Sequence, residues 1–545
     1  MTRFDWQNPY PTPRVPVFAR NIVSTSHPLA AQAGLRMLWK GGNAVDAAIA
    51  AAAAITVVEP VSCGLGGDAF AIVWDGSRLH GLNASGTAPA AWNVDYFRKR
   101  YGEENGLAKN PLRGWDAATV PGVIAGWEAL HAKFGSLPFA DLMAPAIEIA
   151  ERGHAVASIV TRKWKAAIPE LQNQPGFAAT FMPHGRAPEV SERVCFPGHA
   201  ATLRLIAEQG PRAFYEGEIA ERIAAFSREC GAAMSQDDLR NYRADWVEPI
   251  GKAYRGYTVH EIPPNGQGIA ALIALGILEQ FDMASLPLDG ARAQHLQIEA
   301  MKLAFADVYR YVADPRSMDV TPEQMLDDAY LKSRAKLIDP KRATHFDFGM
   351  PRSGGTIYMS AVDERGMMVS FIQSNYMGFG SGVVVPGTGI ALQNRGCAFS
   401  MDPASPNVVA GGKRPFHTII PAFLTQQVDG RQEAVMSFGV MGGDMQPQGH
   451  LQTVVRMLDY GQQPQAACDA PRWKVNRDFT VDLESTFNPD TTRALQDLGH
   501  KIKSIDDPYM DFGSGQFIWK LDRNDSERGY VAASDSRRDG LAAGF

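Results

Sequence analysis

The sequence predicts a mixed α/β (α+β) chain in which helices pack on sheets. Three observations lead there. From about residue 120 to 340 the apolar residues recur with a helical period of 3.6. After Thr356 the pattern changes to short alternating runs of the kind that form paired strands. No repeat or low-complexity tract separates the two regions, so they read as layers of one structure and not as independent modules.

The elements follow in order. Residues 1–20 form an extended arm broken by prolines, and 21–26 a short strand. A helix opens at Pro28 and stops at Gly41-Gly42. Asn43 caps a second helix over 44–57, which is apolar on every side and therefore belongs in a core. It ends before Glu59-Pro60, because a residue preceding proline is pushed out of the α region. Gly64-Leu65-Gly66-Gly67-Asp68 fits a tight turn between buried elements better than an anion cradle, since it matches no phosphate-loop fingerprint. A strand follows over 69–74. Helices are predicted over 123–134, 140–152, 200–209 and 219–230, and Ser235 with Asp238 has capping-box spacing. A strand over 257–262 leads to a buried helix over 268–281 and a long one over 291–312. Thr321-Pro322-Glu323 is a helix start. Residues 339–355 are polar and aperiodic, as a surface-exposed segment would be. Strands over 356–362, 367–374, 390–394, 419–424 and 434–439 precede helices over 448–458 and 489–498.

Charge and cysteine usage exclude several classes. Lys and Arg number 53 and Asp and Glu 59, a net charge of −6, and no basic run is present; neither nucleic acid nor a membrane surface is an expected partner. The five cysteines are scattered, without C-x-x-C, which is neither a disulfide framework nor a zinc site. No metal-ligand spacing and no cofactor motif occurs, so no metal and no cofactor is expected. The most apolar stretch, 49–58, is too short to span a bilayer, and residues 1–18 lack a signal-peptide apolar run. A cytoplasmic protein is expected.

One junction carries chemistry. Ser353-Gly354-Gly355-Thr356 places a Gly pair and a Thr at the opening of a strand, just after the polar segment. Self-cleavage needs this combination: the Thr hydroxyl attacks the preceding carbonyl, and glycine tolerates the distorted backbone. Cleavage frees an α-amine with an ordinary pKa of about 7.7–8.0. That amine can serve as general base for its own hydroxyl. By spacing alone the junction is better read as a loop entering a strand.

Several ordered motifs decide between the two. They are Gly41-Gly42-Asn43-Ala44-Val45-Asp46-Ala47-Ala48 with Glu59-Pro60 and Gly64-Leu65-Gly66-Gly67; Val120-Pro121-Gly122-Val123-Ile124-Ala125-Gly126; Met234 to Leu239 with Tyr254-Arg255-Gly256-Tyr257; Thr356 to Asp363; Lys413-Arg414-Pro415; Gly442-Gly443; and Ser534-Asp535-Ser536-Arg537. Through them the chain resembles the gamma-glutamyltransferase family over nearly its whole length. The resemblance implies a four-layer αββα sandwich of the N-terminal-nucleophile hydrolase type. It implies a precursor cut between Gly355 and Thr356 into a large subunit, 1–355, and a small one, 356–545, which remain partners. It also implies roles: Thr356 as nucleophile, Ser374 as the hydroxyl that assists it, and Gly442 and Gly443 as the oxyanion hole.

The substrate pocket departs from the family. Val94 stands where the family has an Arg for the glutamate α-carboxylate, and Ala398 where it has an acid for the α-ammonium. Tyr376 replaces an Asn, and His417-Thr418 a Ser pair. A γ-glutamyl group would lose both charge partners. Arg395, expected at the pocket rim, suits a carboxylate, and His417 adds a donor. The predicted activity is therefore hydrolysis of a small carboxylate-bearing amide such as oxamate. The alternatives are a γ-glutamyl hydrolase or transferase, a glutaryl or cephalosporin acylase, and an unprocessed homologue with a binding role. The sequence leaves oligomeric state open, a homo-oligomer included. Ser333-Arg334-Ala335-Lys336 matches S-x-x-K but lies on a polar helix with no companion motif.

Overall fold

A computed structural model describes residues 4–12, 14–344, 355–507, 512–522 and 526–545. Two seven-stranded antiparallel sheets lie face to face. The first runs Leu541–Gly544, Ile22–Thr25, Gly355–Val362, Met368–Tyr376, Asp68–Trp74, Leu79–Ala84, Asp245–Val247. The second runs Val17–Ala19, Tyr530–Ser534, Ser514–Lys520, Arg431–Met441, Ala422–Val428, Tyr257–Glu261, Ile250–Tyr254. Strands from both sides of the Gly355–Thr356 bond are interleaved in each sheet.

Helices cover both outer faces, which completes the four-layer αββα arrangement. Ala44–Val58, buried at every residue, lies against the first sheet. Its start is a capping box: Asn43 accepts from the Asp46 N–H while Asp46 accepts from the Asn43 N–H. Ile269–Leu278, also wholly buried, and Met445–Leu458 cover the second sheet. Ala44–Val58 and Ile269–Leu278, almost wholly apolar, gain their stability from burial, at about 25 cal/mol per Å² of apolar surface. Between the sheets a seam of hydroxyls is mutually satisfied. Ser360 Oγ meets Ser437 Oγ at 2.7 Å and Tyr358 Oη meets Ser370 Oγ at 2.8 Å.

Most expected elements stand within a few residues of their predicted bounds. The differences have local causes. The arm is not wholly irregular, because Val17–Ala19 pairs with Tyr530–Ser534. The strand predicted over 390–394 shortens to Ile390–Ala391, since the Gln393 and Asn394 N–H groups donate to the Gly66 and Asn375 carbonyls. The strand predicted from 419 starts at Ala422, because the Ile419 and Ile420 N–H groups are taken by the side chains of His417 and Gln446. Both losses of regularity occur where the chain turns its polar groups toward one site. The Gly64–Gly67 turn is a packing device: a Cβ on Gly66 would lie 2.4 Å from the Ala391 carbonyl oxygen. Of the polar segment predicted over 339–355, residues 345–354, including Ser353 and Gly354 of the junction, lie outside the described residues.

Candidate active site

Thr356 sits second in its strand, at a register shift. Gly355 faces Tyr376 across the ladder, but Ile357 already faces Gln373. A bulge of this kind re-aims one side chain. Thr356 Oγ1 is thereby buried 3.2 Å from Ser374 Oγ, and it accepts from Gln446 Nε2 at 3.4 Å. Ser374 Oγ accepts from the Tyr376 N–H at 2.8 Å. That bond supports Tyr376 at φ 76°, a region side-chain-bearing residues seldom occupy.

Gly442 and Gly443 close the same space from the second sheet. They leave the Arg431–Met441 strand at φ 129° and 61°, and a Cβ on Gly442 would lie 2.9 Å from Gly513 Cα. Their carbonyls are engaged. Gly442 O accepts from the Met445 N–H, and Gly443 O from the Gln446 N–H and from Gln267 Nε2 at 2.9 Å. Their N–H groups have no acceptor among the described residues. A pair of unengaged backbone donors beside a hydroxyl is what a developing oxyanion requires.

Arg395 is not at a rim. It is fully buried, and the correction has a visible cause. Its backbone N–H is tied to the Gln393 side chain, which turns Arg395 inward at the start of the Arg395–Ala398 turn. Nη1 donates to Thr418 Oγ1 at 2.7 Å, and the guanidinium lies 3.9 Å from the Tyr376 ring centroid. Nε and Nη2 have no acceptor among the described residues. These two share one edge of the guanidinium. Burial lowers the Arg395 pKa to about 10, against the opposing pull of Tyr376, Asp68, Cys397 and Asp444. It remains a cation at neutral pH.

His417 does not offer its donor to the cavity. Nδ1 accepts from the Ile419 N–H, so the proton is on Nε2, which donates to Asp68 Oδ2 at 3.0 Å. Burial, then Arg395 and Arg414, hold His417 well below the usual imidazole range, so it is neutral. Burial pushes Asp68 up to about 7, against Arg395, the Gly86 N–H and Arg414. Thr418 serves to pin Arg395. Next to Tyr376 opens a cavity of about 440 Å³, lined by Tyr309, Val312, Met377, Phe399 and Phe416 among others. Ala398 lines it too, and carries no charge.

The eight residues given catalytic or substrate-binding roles from the sequence therefore converge on one place, with Gly355 beside Thr356. Asp68, Gln267 and Gln446 were not anticipated. No spacing pointed to them: the sheet register sets Asp68 opposite Ser374, and side-chain hydrogen bonds bring Gln446 to Thr356 and Gln267 to Gly443.

The family profile described as gamma-glutamyltranspeptidase matches residues 30–545. The chain belongs to this family. It is 36% identical over 539 residues to the glutathione hydrolase-like YwrD proenzyme of Bacillus subtilis, covering 96% of this chain and 98% of that protein. It is 37% identical over 542 residues to the oxamate amidohydrolase proenzyme of Klebsiella pneumoniae subsp. pneumoniae, covering 97% and 99%. Among solved structures it resembles a cephalosporin acylase from Bacillus halodurans, with 47% identity, a TM-score of 0.91 and coverage of 99% and 98%. This member of the gamma-glutamyltranspeptidase family is an enzyme, an amidohydrolase or acylase of the N-terminal-nucleophile type.

Other groups in this family member have structural work. Ser333 Oγ donates to its own helix at Tyr330 O, and Asp238 caps the Gln236–Asn241 helix. His295, Glu299 and His500 are close enough to share a metal ion. The Lys302 ammonium already sits there, 2.8 Å from Glu299 and 3.3 Å from His500 Nδ1. No helix of the described residues is long and apolar enough to cross a membrane.

Proposed function

We propose that this enzyme cuts itself between Gly355 and Thr356 and then hydrolyses an amide whose acyl group carries a carboxylate, with oxamate as the type. The reading rests on one observation above others: the two-donor Nε/Nη2 edge of a buried Arg395 has no acceptor among the described residues, and that guanidinium packs on the ring of Tyr376, whose N–H donates to the Ser374 hydroxyl that meets Thr356. A buried guanidinium of this kind is costly without an anion, and that edge matches a carboxylate in bidentate fashion.

The steps follow from the groups present. The freed Thr356 amine takes the Oγ1 proton, and Oγ1 bonds to the amide carbon. The carbonyl electrons move to its oxygen, which the Gly442 and Gly443 N–H groups hold. On collapse the C–N bond breaks, and the leaving nitrogen takes the proton from the Thr356 ammonium. Water then hydrolyses the ester and regenerates Thr356. For a γ-glutamyl group the charged partners of the family are missing at Val94 and Ala398.

The cavity of about 440 Å³ favours a second reading. It is far larger than oxamate needs, and its walls mix apolar side chains such as Val312, Met377 and Phe399 with polar ones such as Asn110 and Asn407. A glutaryl or cephalosporin side chain would use that space while its acid reached Arg395. None of the five cysteines forms a disulfide, which supports a reducing compartment.

A release assay tests the reading. Purified enzyme is offered oxamate, glutaryl amides, glutathione and a neutral acetamide at equal concentration, with Thr356→Ala as control. Turnover of the carboxylate-bearing acyl amides at least tenfold above acetamide and glutathione, abolished in the control, is expected. Preference for the neutral amide would refute it.

A further inference from the structure

The first turn of the Met445–Leu458 helix places an uncharged donor on the nucleophile. Gln446 is fully buried. Its Oε1 accepts from the Ile420 N–H at 2.9 Å, which fixes the orientation of the amide. The reversed amide would set a donor against that N–H. Nε2 is thereby turned to Thr356 Oγ1 at 3.4 Å. The backbone holds the side chain in place, because the Gln446 N–H donates to Gly443 O at 3.1 Å. The same turn therefore carries the unengaged Gly442 and Gly443 N–H groups and a donor for the nucleophile itself.

Resting on the reading of Thr356 as nucleophile, we propose that Gln446 is a catalytic residue whose Nε2–H stabilises charge developing on Thr356 Oγ1. The chemistry favours this use. An amide N–H can only donate, whereas Ser374 can donate or accept. A hydrogen bond to an oxygen gaining negative charge is about twice as strong as one to a neutral oxygen. The contact is long at rest and tightens as the charge grows, which stabilises the transition state more than the ground state. No proton is transferred: Nε2 keeps both hydrogens throughout. The same oxygen attacks Gly355 during maturation, so Gln446 acts in self-cleavage as well as turnover.

Self-cleavage supplies a test that needs no knowledge of the substrate. The full chain is made by cell-free translation as wild type, Gln446→Glu, Gln446→Leu and Thr356→Ala. Cleavage rates are read on denaturing gels from pH 5 to 9, with melting temperatures measured alongside. Gln446→Glu keeps an acceptor for the Ile420 N–H, but its second oxygen donates only while protonated. Its rate is expected to fall at least tenfold as pH rises through the titration of the introduced carboxyl, a limb absent from wild type. Gln446→Leu is expected to be at least tenfold slower at every pH. A flat profile for Gln446→Glu, at any level, overturns the role of Gln446. So does a folded Gln446→Leu within twofold of wild type; if that variant does not fold, the Gln446→Glu profile decides. Cleavage at the same bond in Thr356→Ala would instead remove the nucleophile reading on which the proposal stands.

Discussion

At the scale of single residues, Arg395 and Asp68 set the electrostatics of the pocket. Arg395→Met keeps the stem that packs on Tyr376 and removes the charge. Losing this guanidinium edge for a carboxylate costs about 3 kcal/mol or more, so kcat/KM for an acid-bearing amide is expected to drop at least a hundredfold. Turnover of a neutral amide should change little. Steady-state kinetics on one substrate of each kind make the comparison. Asp68 carries a pH signature. Its carboxyl is pushed up to about 7 by burial, above the ordinary 3.8. The folded chain therefore binds this proton more tightly than the unfolded chain between those values. Its contribution to stability is full below pH 4 and is lost as pH rises toward 7, with a slope of up to about 1.4 kcal/mol per unit. Urea unfolding of wild type and Asp68→Asn across pH 4–8 should show that slope in the first and not in the second.

At the scale of elements, the Gly442-Gly443 turn joins strand to helix in a conformation that leaves both N–H groups without an acceptor among the described residues. Gly442→Ala is expected to cut the turnover number by 10²–10³, the usual cost of an oxyanion donor. A Cβ at φ 129° and 2.9 Å from Gly513 must move the peptide. Single-turnover and steady-state assays would measure it. Elements were also where the sequence was most readable. The all-apolar run after Asn43 and the Thr321-Pro322 start declared themselves through caps and periodicity, and both stand as predicted. The strands near 392 and 419 were overdrawn because their backbone donors serve side chains of the site, an arrangement only tertiary contacts reveal. Arg395 shows the same limit. Its residue type pointed to a carboxylate, but nothing local said that Gln393 would turn it inward. Gln446 lay beyond sequence reading, since its meaning depends on Thr356, 90 residues away.

At the scale of the whole molecule, the two proposed subunits have no separate cores. Each sheet takes strands from both, so a cut chain would stay one body. The carboxy-terminal motif adds a buried clamp. Asp535 accepts from the Gly515 N–H and from Arg472 Nη2, both at 2.8 Å, and Arg537 pairs with Glu484. Burial alone would raise the Asp535 pKa, but Arg472 and Arg537 outweigh it and hold it well below the carboxylate range. This clamp holds the end of the chain so that Leu541–Gly544 can join the first sheet beside Ile22–Thr25. The whole design then serves one bond, and one measurement reaches it directly. Edman sequencing and intact mass of the purified, active enzyme should give a second chain that begins at Thr356 and runs to Phe545, and Thr356→Ala should give none. Active enzyme recovered as a single uncut chain, or cut at any other bond, would contradict the account.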